Sequence, residues 1–382
     1  MSVFIRDVTT AAERDRFIKF PWKIYKDDQN WVPPLLIDKK KFLDPRKNPF
    51  FKSARVKLYL AYDGAGGIVG RIAAIVSDNH LKTHNDGAGF FGLFECINDP
   101  EVAGLLFKTA ADFLRSQGMR IMRGPLSMNI NDELGLLVSG FDSPPVVLMP
   151  YNPSYYERLV EGYGFEKEID WFAYYLENHD GAVPERLRRG AQLARKRYGF
   201  TIRPANMKHY DEEIKNIQKI YNRAWEQNWG AVPLTDEEFH HLAKDLKMIA
   251  VPELVLFAEV EGKTVGVSLA LPDFNQVFKR IKNGRLLPFG IFKLLWYKRK
   301  IDMLRLTIMG VLKEYRHMGI ETCFIHDTYA AGLKMGAWRC EMSQIVENNV
   351  AMNNVLVKMG TNVYKTYRIY KYDLQRADGL NR

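Results

Sequence analysis

Apolar and polar residues follow two different periods along the chain, and together these periods predict a mixed α/β fold. Residues 212–221 place Ile214, Ile217 and Ile220 on one face, as in an amphipathic helix. Two alternating runs separated by Glu261-Gly262-Lys263 predict a β-hairpin. The predicted elements of the second half, after the first helix, are hairpin strands 254–260 and 264–271, strand 303–312, helix 320–335, strand 338–345, helix 349–359 and strand 363–372.

The first half predicts nearly the same order of elements. They are strands 57–62, 68–77 and 90–96, helix 100–116, strand 119–123, helix 154–163 and strand 171–176. A sheet with short hairpins and covering helices is the fold class that this order indicates for each half.

Similar sequence motifs recur in the two halves at an offset of 196 residues. The sequence KIYKDDQNWVPP begins at Lys23, and KIYNRAWEQNWGAVP begins at Lys219. The same offset joins three further pairs: Gly70 with Gly266, Asn152 with Asn348, and Gly164 with Gly360. Four pairs at one offset indicate an internal duplication rather than two helices that are similar by accident. We therefore predict an N-terminal domain at 1–178, a basic linker at 179–200 and a C-terminal domain at 201–375.

Composition excludes several classes of protein. Apolar residues make up 47% and charged residues 26% of the 382 residues, which is a globular profile. No apolar run approaches the roughly 18 residues of a membrane span, and the N-terminal sequence is too polar for a signal peptide. Three cysteines without CxxC spacing predict neither a disulfide framework nor a metal site, and they favour a cytoplasmic location.

The net charge of +10 is concentrated in two segments. Residues 274–301 contain eight lysines and arginines and no acid, and residues 184–197 contain six against the single acid Glu185. The rest of the chain is slightly acidic. The protein is therefore expected to have two basic elements rather than a uniformly basic surface.

A turn in the second half has the features of an anion site. Strand 303–312 is followed by Arg316-His317-Met318-Gly319-Ile320-Glu321, and a helix begins at once. Amides at a helix N-terminus, together with a nearby arginine, bind phosphate, and Gly319 lets the backbone approach it without a Cβ. The alternative is an ordinary strand-to-helix turn with an exposed arginine.

This turn resembles the Arg/Gln-x-x-Gly-x-Gly/Ala signature of the GNAT superfamily of acyl-CoA-dependent N-acyltransferases. A second GNAT-like motif runs from Asn349 to Lys358-Met359-Gly360, and Asn152–Gly164 resembles its counterpart in the first half. The resemblance implies two tandem GNAT-like units, each a mixed, mostly antiparallel sheet flanked by helices. It also implies a set of residues that bind acyl-CoA, with the pantetheine and thioester oxygen at Gly310 and Val311: Gly310, Val311, Arg316, His317, Met318, Gly319, Ile320 and Asn349.

Three positions depart from the GNAT pattern. Glu321 stands where a glycine or alanine is usual, and Leu356 where many relatives carry the tyrosine that protonates the thiolate. The first half has Ile97-Asn98-Asp99-Pro100 in place of a phosphate loop, and these acids would repel CoA. We therefore expect acyl-CoA to bind the second half, and the first half to be a degenerate copy.

The resemblance leaves the proton chemistry to a carboxylate or a water chain. Our candidates for the base are Glu347 and Glu226, with a surface or capping role as the alternative for each. His326 fits a packed or surface histidine better than a base. In GNAT proteins the segment after the first helix forms a wall of the acceptor site, so Trp225, Asn228 and Trp229 are expected to bind substrate. Packing in the core is the alternative for the tryptophans.

An insertion before the 303–312 strand combines apolar and basic residues. Leu286–Tyr297 contains one charge, Lys293, and is flanked by cations, which is typical of a segment that lies in a membrane interface. The residues expected to contact an anionic membrane are Arg285, Phe289, Phe292, Lys293, Trp296, Lys298 and Arg299. A buried interdomain helix is one alternative. Nucleic acid is disfavoured because the apolar run is continuous, whereas a nucleic-acid groove spaces its aromatics between cations.

This layout resembles that of the bacterial ceramide synthases, which acylate the amino group of a sphingoid base. The resemblance implies an acyl-CoA donor, a lipid amine acceptor and no metal, with the protein peripheral on the inner membrane face. Two alternatives remain open: a soluble acetyltransferase acting on small amines or amino acids, and a noncatalytic protein that binds acyl-CoA or lipid.

Overall fold

The computed structural model describes residues 2–226 and 228–375, which form two compact units. The first unit comprises the described residues of Met1–Trp171, Ile281–Pro288 and Lys365–Arg382. The second unit comprises those of Phe172–Arg280 and Phe289–Tyr364. The first unit thus incorporates two segments that are distant in sequence from the rest of it.

The strands and helices predicted from the sequence are present in the predicted order, together with further elements that were not predicted. The strands are β1 Phe4–Asp7, β2 Ala54–Tyr62, β3 Ile68–Ser77, β4 Ala88–Cys96, β5 Ile121–Gly124, β6 Leu136–Ser139, β7 Glu166–Glu177, β8 Thr201–Pro204, β9 Val255–Val260, β10 Lys263–Pro272, β11 Met303–Val311, β12 Arg339–Val346 and β13 Asn362–Asp373. The helices are α1 Ala11–Lys19, α2 Pro21–Ile24, α3 Leu36–Phe42, α4 Asp78–His84, α5 Pro100–Ser116, α6 Tyr155–Tyr163, α7 Glu185–Tyr198, α8 Tyr210–Ala224, α9 Asp236–Leu246, α10 Asn275–Phe278, α11 Gly290–Tyr297, α12 Ile320–Lys334 and α13 Val350–Lys358.

The sheet of the first unit has the strand order β1-β2-β3-β4-β5-β13. Its neighbouring strands are antiparallel except β4 and β5, which run parallel. Helices α5 and α6 cover one face, where Phe107 packs against Phe91 and Phe165. Tyr370 of β13 belongs to the same core, so the end of the chain is part of this unit.

The sheet of the second unit has the order β12-β11-β10-β9-β8. Again one neighbouring pair, β11 and β12, is parallel and the others are antiparallel. The copies agree in register, because Gly266 of β10 lies opposite Val311 just as Gly70 of β3 lies opposite Cys96. A mixed sheet flanked by helices, twice along the chain, confirms the predicted fold class.

Segment 179–200, which we expected to be a basic linker, is mostly the helix α7 of the second unit. Its small residues face α12: Ala191 is buried in a cluster with Ile320 and Cys323, and a Cβ on Gly190 would lie 3.3 Å from Thr322. Arg195 reaches Asp327 of α12, and the other arginines of the helix are exposed. The segment therefore contributes to the core of the second unit.

Candidate active site

Strands β11 and β12 separate part-way along their length. Their parallel register ends at Leu306 and Met342, although the strands continue to Val311 and Val346. At the same point β11 has one extra residue relative to β10: Leu306 pairs with Ala270 and Ile308 with Leu269, so Thr307 forms a β-bulge. Such a bulge bends a strand and increases its twist. The edge of β11 that faces β12 is therefore open from Thr307 onward.

The backbone of Val311 faces this open edge. Leu312 N–H donates to Val265 O of the β10 side, at 2.9 Å. Because hydrogen bonds alternate along an antiparallel ladder, the N–H groups of Met309 and Val311 point away from β10. Val311 O accepts a hydrogen bond from Arg316 Nε at 3.1 Å, which agrees with this direction. Gly310 lies between them, and its backbone N–H faces β10.

The loop after β11 leads into an uncapped helix. Lys313–Met318 forms a 3-10 turn, and Gly319 adopts a φ of 72°, a left-handed conformation that favours glycine. The N-cap residue of α12 is Gly319, which has no side chain to cap the first amides of the helix. Arg316 is exposed beside the loop, and its guanidinium also donates to Ala224 O at 3.3 Å. The anion-binding elements predicted from the sequence therefore lie together.

Glu321 occupies the first turn of α12, as the departure from the GNAT pattern suggested. Burial raises the pKa of this carboxyl, and its own backbone amide and nearby Arg316 offset part of that rise. The carboxylate therefore competes for the same amides and arginine that an anion would use.

The first unit has its equivalent positions filled by its own side chains. Asp99 caps α5 by accepting hydrogen bonds from the amides of Glu101 and Val102. Cys96, which matches Val311 in register, donates its N–H to Tyr156 Oη at 2.8 Å and accepts from Tyr155 Oη at 2.7 Å. The helix terminus and the strand edge that are open in the second unit are therefore occupied in the first.

Trp225 is positioned over β11. A Cβ on Gly310 would lie 2.5 Å from the Trp225 ring, so only glycine fits beneath it. Trp225 also stacks on Tyr221 of α8, with ring centroids 4.9 Å apart. Asn228 N–H donates to Trp225 O in the following turn, and both Asn228 and Trp229 are half-buried. The predicted acceptor wall thus begins at the strand that carries the open edge.

The two glutamates predicted as bases lie at the ends of elements. Glu347 directly follows β12 and is half-buried, and its backbone carbonyl accepts from Asn353 Nδ2 at 3.2 Å. Asn349 caps α13 by accepting from Met352 N–H at 3.2 Å. Glu226 is exposed just beyond α8. Their predicted roles in acyl transfer and CoA binding stay predictions.

His326 and Leu356 contact other side chains of the second unit in ways that fit a structural role. His326 Nδ1 lies 2.8 Å from Asp327 Oδ1, and Arg195 Nη2 of α7 donates to the same carboxylate at 2.6 Å. Leu356 is buried with Met342 and Tyr174. His326 therefore belongs to an ion pair between α7 and α12, and Leu356 is a core residue of α13.

A buried polar cluster lies beside the point where β11 and β12 separate, and the sequence analysis missed it. Glu341 of β12 has no exposed surface and accepts hydrogen bonds from Ser343 Oγ and Tyr364 Oη. Arg305 Nε of β11 donates to Ser343 Oγ at 3.0 Å and lies 4.0 Å from Glu341 Oε1. A lone acid within the apolar strand sequence RCEMSQIV was the signal available.

The insertion exposes several large apolar side chains. Phe289 is 74% exposed, and Phe292 and Trp296 of α11 are each 68% exposed. Lys293, Lys298 and Arg299 are exposed on or just after the same helix, and Arg285 is exposed earlier in the insertion. Tyr297 is half-buried with Arg280 over its ring at 4.2 Å. The part of the insertion in α11 is therefore a surface helix rather than the buried interdomain helix of the alternative interpretation.

Comparison with known proteins decides the family. No protein-family model matches the chain. A curated protein from Caulobacter vibrioides named bacterial ceramide synthase is 38% identical over 376 residues, which are 95% of this chain and 96% of that protein. Protein YghO of Escherichia coli is 36% identical over 376 residues, 96% of this chain and 94% of YghO. The chain belongs to the bacterial ceramide synthase family.

Solved structures show that this member of the ceramide synthase family has a tandem GNAT fold. A tandem GNAT protein from the clavulanic acid biosynthesis pathway covers 98% of the chain and 100% of itself, with a TM-score of 0.59 at 11% identity. A GCN5-related N-acetyltransferase from Sphaerobacter thermophilus covers 97% of the chain and 96% of itself, with a TM-score of 0.54 at 11% identity. These likenesses confirm the predicted fold, and with the family they confirm an acyltransferase.

Two further findings concern the described residues of this ceramide synthase family member. Within 2–226 and 228–375, no helix is both long and apolar enough to cross a bilayer. Over the same ranges, histidine, cysteine, aspartate and glutamate side chains form no group of three that could hold a metal ion.

Proposed function

We propose that the chain moves a long-chain acyl group from acyl-CoA to the amino group of a sphingoid-type lipid at a membrane surface. The observation that carries the proposal is the contrast between the two units: the second keeps an open strand edge and an uncapped helix, and the first has both filled. The printed name of the Caulobacter relative supports the ceramide product. The exposed apolar helix α11 supports a lipid acceptor.

Binding of acyl-CoA would use groups of the second unit. The first amides of α12 and the Arg316 guanidinium suit the diphosphate, because amides at a helix N-terminus and a nearby cation both favour negative charge. Glu321 must leave those amides when a diphosphate binds. The N–H groups of Met309 and Val311 lie two residues apart on one strand edge, so one suits the thioester oxygen, which gains negative charge during attack, and the other suits the pantetheine arm.

The thioester supplies an activated carbonyl, so the protein has to position the amine and deprotonate it. An ammonium group has no lone pair for attack, and a base near the site must take its proton. Trp225 lies over Gly310, beside the open edge, and its ring is the wall that we propose the apolar chain of the amine packs against.

The membrane part of the proposal rests on α11. Phe292 and Trp296 project apolar rings from α11, and exposed Phe289 directly precedes it. Lys293 is exposed on the same helix, and Lys298 and Arg299 are exposed just after it. Aromatic residues that sit at the interface, together with cations that meet anionic headgroups, are typical of a peripheral membrane helix. An anionic bilayer is therefore the partner proposed for this surface.

The test is thiol release from acyl-CoA of increasing chain length, with and without a sphingoid amine, and with and without anionic vesicles. The proposal expects turnover that requires the amine and rises with chain length and with vesicles. Turnover restricted to acetyl-CoA and small amines would instead support the soluble acetyltransferase. Saturable acyl-CoA binding without thiol release would support the noncatalytic binder, which Glu321 and Leu356 make the second candidate.

A further inference from the structure

The buried cluster around Glu341 lies on the same face of the sheet as Trp225. Leu304, Leu306 and Met309 of β11 pack towards the side covered by α12. Arg305 and Gly310 therefore face the opposite side. In a regular strand an odd spacing would put these two side chains on different faces, but the extra residue Thr307 at the bulge returns them to the same face. Because Trp225 packs on Gly310, the face that carries Arg305 and Glu341 is also the face of the predicted acceptor wall.

The carboxylate of Glu341 is fully buried and has defined partners. Burying a carboxylate is costly unless hydrogen bonds and a counter-charge satisfy it. Ser343 and Tyr364 donate to its two oxygens, and Arg305 is the nearby cation. Tyr364 is half-buried, so part of the residue that donates to the buried carboxylate is accessible. The fold maintains this cluster beside the place where β11 and β12 part.

We propose that Glu341 and Tyr364 form the proton relay that deprotonates the acceptor amine. The relay rests on the proposed function, since it requires an ammonium group as substrate. Tyr364 is the group that meets the amine, and Glu341 accepts the proton through it. Ser343 and Arg305 are positioning residues, because they hold the carboxylate without facing the amine.

Acylation removes two protons from the nitrogen, and each proton has an acceptor. The ammonium gives one proton to Tyr364 Oη while the Tyr364 hydroxyl proton passes to Glu341. The neutral amine attacks the thioester carbon, a C–N bond forms and the C–S bond breaks. The second proton lost by the nitrogen goes to the departing thiolate, which leaves as CoA thiol. Glu341 then returns the first proton through Tyr364 to water, and the carboxylate is restored.

The test compares the pH dependence of turnover for full-length wild type, Glu341→Gln and Tyr364→Phe, using an amine that the wild type acylates. Both variants should lose about 100-fold or more in kcat at neutral pH, while the KM for acyl-CoA stays within about twofold. The deficit should shrink by about tenfold per pH unit up to the pKa of the amine, because free amine then arrives already deprotonated.

A matched control is Tyr175→Phe. The Tyr175 ring lies 5.2 Å from that of Tyr364, but its hydroxyl donates to Glu177 Oε1 at 2.8 Å instead of Glu341. This variant should keep the wild-type kcat and pH profile.

Glutamine has the shape of glutamate, but it offers only one acceptor oxygen to Ser343 and Tyr364 and removes the counter-charge of buried Arg305, so a lower melting temperature is expected for Glu341→Gln. Its kinetics are therefore measured below its own melting transition, and the pH dependence of the kcat deficit distinguishes the relay from a loss of stability.

Two results overturn the relay while leaving acyl transfer intact. One is wild-type kcat and pH profile in both variants. The other is a loss of kcat that is equal at all pH values and accompanies a lower melting temperature, which is the behaviour of a purely structural cluster. A wild type that releases no thiol with any amine contradicts the proposed function itself, and the relay with it.

Discussion

At the scale of single residues, Glu321 determines how tightly the loop before α12 can hold a diphosphate. Its carboxyl is partly buried, and burial raises its pKa. The charged form is therefore disfavoured in the folded protein. The resulting loss of stability is absent below the unfolded pKa, grows as the pH rises towards the folded pKa and is fully present above it. At high pH a carboxylate also repels the incoming phosphates.

Replacing Glu321 with glutamine should therefore lower the KM for acyl-CoA. The ratio of wild-type to variant KM should be largest at pH 8 and should approach one as the pH falls through the pKa of Glu321. Steady-state kinetics between pH 5 and 8 measures the ratio, with Glu314→Gln in the same loop as control, since Glu314 is exposed and pairs with Arg223. A KM ratio of one at pH 8, where the carboxylate is most fully charged, would remove Glu321 from the diphosphate site.

In the first unit, the Tyr156 hydroxyl satisfies groups at the strand edge that corresponds to the open edge of the second unit. This hydroxyl donates to Glu95 Oε2 at 2.8 Å and accepts the Cys96 N–H, and both interactions are buried. Tyr156→Phe should lower the free energy of unfolding by about 1–3 kcal/mol, because two buried groups lose a partner. The KM for acyl-CoA should not change if the donor binds only the second unit. Denaturant unfolding and kinetics of the same sample test both statements, and a raised KM would place part of the donor site in the first unit.

At the scale of elements, local patterns predicted most helices and strands. The predicted bounds of α5 and β3 equal the observed ones because their apolar periods are strong. The first half of β7 was missed because Glu166–Asp170 reads as a charged loop. Its Glu168 is matched by Arg123 at 3.2 Å and Lys371 at 2.8 Å, partners that only the folded sheet brings near.

The candidate site also contains residues that local sequence predicted and residues that it did not. Arg316 and Gly319 lie in one loop, so their spacing is readable from the sequence. Glu341 was missed because Tyr364 and Arg305, which define its environment, lie on β13 and β11, far along the chain. Helix α7 was missed because its buried side is formed by small residues such as Ala191 and Gly190, so the segment has few large apolar residues among its many charges.

Helix α11 carries a prediction of its own. Phe292→Ser with Trp296→Ser should weaken binding to anionic vesicles by tenfold or more, because each buried aromatic contributes about 1.5 kcal/mol or more. Lys298→Glu with Arg299→Glu should weaken binding mainly at low salt, by about 1 kcal/mol per charge removed. Vesicle co-sedimentation at two salt concentrations measures both effects.

The matched control for α11 is Leu193→Ser. Leu193 of α7 is also 68% exposed, but it lies on a different helix. Vesicle binding by this variant should equal that of the wild type. If the α11 variants bind anionic vesicles as well as the wild type does, the apolar surface of α11 faces something other than a bilayer.

At the scale of the whole molecule, duplication has left each copy with a different task. The register of β3–β4 and β10–β11 is shared, yet the open groups of one copy are satisfied by tyrosines and an aspartate in the other. A buried amide or carbonyl without a partner is costly, so a copy that binds no ligand must supply partners of its own. Tyr155, Tyr156 and Asp99 meet that requirement in the first unit.

The first unit also depends on segments outside its own sequence half. Lys282 O and Gly284 O accept hydrogen bonds from Trp22 Nε1 and Leu36 N–H, each at 2.8 Å. Tyr370 and Tyr372 of β13 complete its core, and β13 residues pair with β5. Each buried tyrosine removes enough apolar surface from water to contribute about 2–3 kcal/mol. That sum is comparable with the whole stability of a domain, about 5–15 kcal/mol.

A fragment of residues 1–178 should therefore not fold cooperatively by itself, even though the sequence repeat predicts a domain there. Thermal unfolding followed by near-ultraviolet circular dichroism should show no sharp transition for the fragment. A full-length chain cleaved at an inserted protease site in the exposed turn at Gly262 is the control, because it retains every segment of the first unit and should melt as the intact protein does. If the fragment alone melts cooperatively at the temperature of the intact chain, the contribution of Lys365–Asp373 to the first unit is dispensable and the two halves are separable domains.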